Sequence, residues 1–393
     1  MDAEEYLNFV LNQTINKEYL HIHFTSYNII DKLYKYFSSS IKLNSYKEIS
    51  FYIDLETTFI NKQFDLLFLL SEKYNTINRL VIEYDDYTCK AFKHKINKLS
   101  AEDIIRLSDF IKLNKLEYLE LKYCFETFDN LELFCNALTN NISINKFVLR
   151  DCHFNNYTLS LLFNSLKSNN NINSLFIRYY NTFNNTILDN DKYLYYINIL
   201  LKNNHNIINL QVKNIFNVND AKCLSEILKY SSIQNLNLYG CCIDDKLFDI
   251  FYNSLKNNNN LTDLDLSWNK LTNISYLKVI SLLKTNKTLI SLNLDNLKNN
   301  DIEIFTNQLK ENLKNNNTLM FLNIGGEFFG KRKDHTKSIM NLIETLKSNK
   351  SLMNIYLPTY IIRNKKYKKL FYDNLQEIRH IRLCCSYDEF YEI

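Results

Sequence analysis

The sequence predicts a right-handed α/β solenoid, a horseshoe in which short strands stack into a concave parallel sheet and the intervening helices form the convex side. Three observations carry this expectation. Apolar residues recur in a fixed comb, LxxLxLxxNxL, clearest in LTDLDLSWNKL from Leu261 to Leu271. Between combs lie stretches such as KLFDIFYNSLKNNNN and YLKVISLLKTNK, apolar at three- and four-residue spacing and closed by a polar turn. The combs return roughly every 28 residues, for about thirteen repeats, the signature of stacked supersecondary units.

Taken in order, residues 1–18 are expected to form an N-terminal helical cap, 19–383 the solenoid and 384–393 a C-terminal tail. The first combs can be laid on Tyr19/Ile22/Phe24 and Tyr46/Ile49/Phe51, with weaker copies beginning at Ile77, Ile172, Ile207, Leu289, Leu319 and Leu352. The most regular run spans 116–297 and includes LEYLELKYC, INKFVLRDCHF and IQNLNLYGCCI; the last comb is Ile378/Ile381/Leu383. Because a strand alternates faces, the second and third apolar residues of each comb point into the core, and the residues between and after them face outward. One repeat cannot cover its own apolar face, so stability comes from neighbours and the ends need caps.

With this frame the chain resembles a leucine-rich repeat protein of the ribonuclease-inhibitor-like type, over nearly all of its length. The resemblance implies that the side chain after each strand satisfies backbone groups in the turn, a role that falls to Cys124, Cys152, Cys241 and Asn269. The repeats at Ile77, Ile172, Ile207 and Leu289 carry Asp85, Tyr180, Ile215 and Leu297 there, so their register is less firmly anchored. It further implies a protein that binds other proteins without chemistry of its own.

Composition agrees with a folded chain. Of 393 residues, 46% are hydrophobic and 14% aromatic, enough for a sizeable core, and the net charge of +4 demands neither nucleic acid nor an anionic membrane. Nine Cys without paired CxxC motifs predict a reducing compartment, and no segment approaches a membrane span. The acidic N-terminus, MDAEEYLNFVLNQ, lacks the pattern of a secretory signal. A cytoplasmic monomer is expected. Few Gly and Pro beside abundant Asn, Lys and Ile point to an AT-rich coding genome, such as a protist's or a large DNA virus's, in which case the location is the host cell.

Chemistry-bearing patterns are sparse. The seven His are scattered, no nucleophile–base arrangement stands out, and Gly325-Gly326 alone cannot cradle phosphate, so no enzyme activity, metal or cofactor is expected. Cys124 and Cys152 fall side by side through the repeat and are expected to be structural. Asp263, Asp265 and Asp295 form either a contact patch or ordinary solvated surface.

The column after the third apolar position reads Lys122, Arg150, Arg178, Lys213, then Tyr239, Ser267, Asp295. Four successive cations on strands about 4.8 Å apart repel unless solvent, nearby acids or an acidic partner relieves them. Aromatics lie among them, and Trp268, the one tryptophan, is either an exposed anchor or packed beneath a neighbouring loop. The expected partner-binding set is therefore Lys122, Tyr123, Arg150, Phe176, Arg178, Tyr179, Lys213, Tyr239, Asp265 and Trp268, with replacement of Arg150 and Arg178 expected to leave folding intact. A protein partner is favoured over single-stranded nucleic acid. The rival roles are an adaptor or substrate receptor in a ubiquitin-ligase or sensor assembly, and a GTPase-activating regulator of the Ran type, for which no matching arginine can be named. Three long insertions after the combs at Ile77, Ile172 and Leu319, and the basic runs Lys331–Lys333 and Lys365–Lys369, are either contact loops and patches or solvated drift.

Overall fold

The computed structural model describes residues 19–22, 27–39, 48–54, 60–73, 77–83, 99–113, 115–122, 124, 130–152, 154, 156–178, 193–213, 215, 217–296, 302–325, 334–357, 363–374 and 382–385. The expected cap 1–18, most of the expected tail and the bulk of the three insertions lie outside these residues, as do Tyr123 and Tyr179. The chain divides into two compact units, Met1–Ile207 and Ile208–Ile393.

In the first unit six parallel strands follow chain order: β1 (Tyr19–Ile22), β2 (Glu48–Asp54), β3 (Ile77–Glu83), β4 (Tyr118–Lys122), β5 (Lys146–Arg150) and β6 (Ser174–Arg178). Helices α1 (Tyr27–Ser39), α2 (Ile60–Lys73), α3 (Ala101–Lys112), α4 (Leu131–Asn140), α5 (Asn156–Ser168) and α6 (Tyr193–Asn203) alternate with them, and consecutive helices pack side by side. Rows of comb residues run across the sheet: Leu119, Phe147 and Leu175 are register partners, then Leu121, Leu149 and Ile177. All are buried, and Phe134 of α4 reaches the row with its ring 6.5 Å from that of Phe147. Each fully buried aliphatic or aromatic side chain of this kind contributes about 1.5–3 kcal/mol.

The second unit repeats the scheme with β7 (Asn209–Val212), β8 (Asn235–Asn237), β9 (Asp263–Asp265), β10 (Ser291–Asn293), β11 (Phe321–Asn323), β12 (Asn354–Leu357) and β13 (Arg382–Cys385). Its helices are α7 (Val218–Tyr230), α8 (Asp245–Lys256), α9 (Asn273–Leu282), α10 (Ile302–Leu313), α11 (Thr336–Ser348) and α12 (Lys365–Asp373). Helix starts are set by side-chain caps: Asn217 and Asp220 form a capping box, Asp244 accepts from Leu247 N–H and Thr272 from Ile274 N–H. The predicted α/β solenoid is thus present in both units.

The comb frame holds from β3 to β12 and shifts at both ends. Ile22 and Leu80 both pair with Phe51, and Ile82 pairs with Ile53, so Phe51 and Ile53 are the second and third apolar positions of β2, not Ile49 and Phe51. Likewise Leu383 pairs with Ile355 and Cys385 with Leu357, two residues beyond the expected frame, so Cys384 and Cys385 are part of β13. A slip of two residues keeps every side chain on its face, which is why an argument from alternation could not detect it.

Seven of the helix-to-strand turns are pinned by an asparagine that fixes the spacing of the repeats. Asn141, Asn169, Asn204, Asn258, Asn286, Asn316 and Asn349 each stand three residues before the first apolar position of a comb. Asn258 Nδ2 donates to Leu228 O of the preceding repeat at 2.7 Å, while its Oδ1 accepts from Asn260 N–H and Leu261 N–H at 2.9 and 2.8 Å. Asn169 does the same toward Leu138 O and its own Asn171 and Ile172 N–H groups, and Asn349 toward Leu313 O and Ser351 and Leu352 N–H. One amide supplies both donor and acceptor, so a helix-end carbonyl and two strand-start N–H groups are satisfied together.

Replacement of Asn258 by Ala therefore leaves three backbone groups, two of them buried, without partners and is expected to cost about 2–3 kcal/mol, whereas Asn259→Ala, next to it and exposed, stays within about 0.5 kcal/mol. Urea unfolding of the two variants distinguishes them.

Candidate functional site

The outer face of the sheet, turned away from the helices, carries the charged and aromatic residues that alternate with the comb. In the first unit the expected basic column is present, and it is neutralised within the chain. Lys122 Nζ lies 3.8 Å from Glu83, Arg150 Nε 2.9 Å from Glu120 Oε1, and Arg178 donates twice to Asp151 Oδ2, at 2.7 and 3.1 Å. The Arg150–Glu120 pair is held by charge rather than by a well-directed hydrogen bond. Nearby acids, the second of the reliefs considered above, thus answer the repulsion among these cations.

The expectation that Arg150 and Arg178 can be removed without cost to folding is corrected by their partners. Glu120 and Asp151 are both buried, and taking away an arginine leaves a buried carboxylate unpaired. Phe176 is only 8% exposed and lies under the Arg150 guanidinium, 4.9 Å from ring centroid to Cζ, so it supports that arginine rather than projecting outward. Two further residues that the sequence reading passed over join this face: Arg79 and Lys146 flank Tyr118 on the neighbouring strands.

In the second unit a different chemistry occupies the side of the strands turned away from its helices. The residue between the second and third apolar positions is Asn237, Asp265, Asn293 and Asn323 on four successive strands, and each accepts from the N–H two residues on: Tyr239, Ser267, Asp295 and Gly325, at 2.8–3.1 Å. Asn293 Nδ2 also donates to Asp265 Oδ2 at 3.0 Å. Asp265 is therefore engaged in closing its strand rather than held out as a simple contact; burial raises its carboxyl pKa, while Ser267, Asn293 and the charge of Lys213 pull it back.

Beside this ladder the aromatics gather. Lys213 Nζ sits 3.6 Å from the Tyr239 ring centroid and donates to Tyr239 O; the Tyr239 and Trp268 rings are 6.4 Å apart. Trp268 is 41% exposed, which makes it an accessible side chain rather than one hidden beneath a loop, and its Nε1–H donates to Asp295 Oδ2 at 3.1 Å. Its backbone is left-handed, φ 56°, as at the equivalent positions Asp151, Gly240 and Asn296. There the N–H of Asp151, Gly240 and Trp268 turns to the carbonyl of the next strand. Gly, Asp and Asn tolerate that conformation; a tryptophan bears strain on the order of 1 kcal/mol.

Other candidates resolve structurally. Cys124, Cys152 and Cys241 are buried, and their thiols donate to the preceding strands at Ile82 O, Leu121 O and Val212 O, while Asn269 bridges Leu238 O, Leu266 O and Ile243 N–H. Burial, reinforced by Cys152, pushes the Cys124 thiol pKa well up. Among the described residues there is no cluster of three or more His, Cys, Asp or Glu that could hold a metal, and no helix long and apolar enough to cross a membrane. The Lys365–Lys369 run forms the start of α12, with Tyr367 turned inward and the lysines on its solvated side. Asp295 packs directly on Gly325, where no side chain intervenes.

No protein-family model matches the sequence, and no curated protein matches it. Among solved structures the chain is similar to leiomodin-1 actin-binding site 2, at 21% identity and TM-score 0.33 over 42% of this chain and 93% of that one. It is also similar to a chain of the yeast Rad7 and Elc1 complex, at 16% identity and TM-score 0.44 over 91% of this chain and 83% of that one.

Gly325 offers a direct check on the packing of this face. A Cβ there would stand 2.5 Å from Asp295 Oδ1 and 3.1 Å from Asn323 Oδ1, so Gly325→Ala is expected to destabilise by about 1–3 kcal/mol. The loss should shrink when Asp295 is also replaced by Ser, and a double-mutant cycle read by thermal or urea unfolding measures that coupling.

Proposed function

We propose that this chain is a non-catalytic protein-interaction scaffold of the leucine-rich repeat kind, ribonuclease-inhibitor-like in type, in which the outer face of the sheet docks a protein partner. The observation that carries the reading is Trp268: an exposed aromatic held in a strained left-handed turn, its indole N–H fixed by Asp295, with Tyr239 beside it. Strain kept at an exposed position favours a use for the side chain that packing does not supply. The thiol and amide bonds of Cys124, Cys152, Cys241 and Asn269 support the repeat type, since they satisfy backbone groups as the resemblance implies.

The docking residues of this reading are, in the second unit, Trp268, Tyr239, Lys213 and Asp265 and, in the first unit by itself, Lys122, Arg150 and Arg178, with the buried Phe176 supporting Arg150. Tyr123 and Tyr179, outside the described residues, complete the set expected from sequence. The mechanism is pre-organisation: a polar ladder holds the anchors before the partner arrives, which lowers the ordering cost of binding. The reading includes a monomeric, cytoplasmic protein with repeats over 19–385, capped by 1–18 and followed by 386–393, and no cofactor.

Affinity capture from lysate, run with and without nuclease, with the full chain, Trp268→Ala and the exposed helix control Ile274→Ala tests it. A protein retained by the wild type and the control and reduced roughly thirtyfold by Trp268→Ala is expected, the magnitude of an interface hot spot. Equal recovery by all three overturns the proposal, as does retention that disappears with nuclease. GTP hydrolysis stimulated by the chain would move the role to GTPase regulation.

A further inference from the structure

Helix α12 carries its charge against the helix dipole. Three other helices of the second unit place an acid in the first turn and a lysine in the last, Asp220 and Lys229 in α7, Asp245 and Lys256 in α8, Glu303 and Lys310 in α10. That order is the one the dipole favours. In α12 there is no acid in the first turn and no base in the last. Arg363 stands just before the helix, Lys365, Lys366, Lys368 and Lys369 fill its first half, and Asp373 closes it. The stability of the helix does not account for this arrangement.

Lys365, Lys368, Lys369 and Tyr372 fall at i, i+3, i+4 and i+7 and so form one stripe, in which the like charges repel. The five cations are exposed, and Tyr372 is 58% exposed. Tyr367 and Phe371 are turned inward instead, and the Tyr367 hydroxyl accepts from His335 N–H at 2.9 Å, which fixes α12 beside the start of α11. Lys366 pairs with Asp334 at 2.9 Å, and Lys368 Nζ lies 5.6 Å from the Tyr372 ring centroid. Arg363, Lys365 and Lys369 make no ion pair among the described residues, not even Lys369 with Asp373 four residues on. The cap residue Asn364 already accepts from the N–H groups of Lys366 and Tyr367. What α12 offers a ligand is therefore side-chain charge, not open backbone.

We propose that the exposed stripe of α12 holds the chain against an anionic lipid surface, with Arg363, Lys365, Lys368 and Lys369 among the headgroups and Tyr372 at the interface. Clustered cations each add attraction to an anionic leaflet, and long lysine stems let the ammonium groups reach it. An acidic protein segment fits less well, since lysine lacks the fork that matches a carboxylate and is depleted from protein interfaces. Nucleic acid is disfavoured too. One side of α12 is occupied by α11, which bars the helix from a groove, and a single strand needs several open rings where the stripe has Tyr372 alone, already beside Lys368. Because the apolar residues of α12 point inward, the contact is electrostatic, peripheral and weakened by salt. The chain-wide net charge of +4 does not reveal it, because the patch is local. The proposal is independent of the scaffold reading and adds a place where the scaffold acts.

The test is co-sedimentation of the full chain with phosphatidylcholine vesicles carrying about 30% phosphatidylserine at about 0.1 M salt, beside vesicles of phosphatidylcholine alone. Binding to the anionic vesicles only is expected, weakened about tenfold or more in Arg363→Gln/Lys365→Gln/Lys369→Gln. The charge-matched control Lys256→Gln/Lys284→Gln/Lys314→Gln, which removes exposed lysines at the C-terminal ends of α8, α9 and α10, is expected to bind nearly as the wild type does. Asp373→Asn removes the one acid of α12 and is expected to tighten binding about fivefold; this opposite sign decides the matter if the triple variant does not fold. No binding by the wild type, equal binding to both vesicles, equal loss in the control or no tightening in Asp373→Asn each overturns the proposal. Tighter binding of a short duplex DNA or of a Glu-rich peptide, lost in the same triple variant, overturns it in favour of that partner.

Discussion

The outer face depends on a bond made at the other end of seven strands, β5 to β7 and β9 to β12, where an asparagine amide ties one repeat to the last. A parallel strand–helix repeat brings helix-end carbonyls of one repeat beside the strand-start N–H groups of the next, in a turn that packing closes to water. Asn141, Asn169, Asn204, Asn258, Asn286, Asn316 and Asn349 satisfy both kinds of group with one planar side chain. At the corresponding turn before Ile233 the residue is Ser231, whose hydroxyl accepts from Ile233 N–H only at 3.5 Å. Once the turn is pinned, the first apolar residue of the next comb is placed, and the register of the strand follows from it.

Register then decides which side chains meet. In the first unit it sets Arg79 beside Tyr118 and Lys146, and Glu120 within reach of Arg150. In the second it lines up Asn237, Asp265, Asn293 and Asn323 so that each closes its own strand and Asn293 also reaches across to Asp265. The two units thus present one repeat architecture with two surfaces, an ion-paired one and an amide ladder flanked by Tyr239 and Trp268. Both are assembled from short side chains and fixed turns, which is the condition for a surface that binds without rearranging.

Much of this was legible in the sequence, and the exceptions have physical causes. The comb reads directly because burial admits only apolar residues at its positions, and Leu119, Phe147, Leu236 and Leu264 fall where alternation puts them. The end repeats at β2 and β13 slipped by two because alternation is blind to an even shift. The asparagine turns were visible as an Asn-rich composition but not as a ladder; the signal was present, Asn three residues before seven of the combs, hidden among neighbours such as Asn257, Asn259 and Asn260 that are exposed. Of the candidate site, the cation column lies on the outer face as alternation expects, and Trp268, left open between exposure and packing, is exposed. What sequence spacing could not give was pairing across strands: that Glu120 and Asp151 answer Arg150 and Arg178, and that Arg79 and Lys146 converge on Tyr118 from either side.

The most direct test of the claim that the sheet face is the docking surface is site-specific photo-crosslinking. A benzophenone-bearing amino acid is placed at position 268 in one protein and, in another, at Ile274, which is 62% exposed on α9. Irradiation in lysate is then followed by identification of the adducts. A defined protein adduct from position 268 and none in common from position 274 is the predicted result. The same adducts from both positions, adducts from 274 alone, or nucleic acid as the species joined at 268 would contradict it.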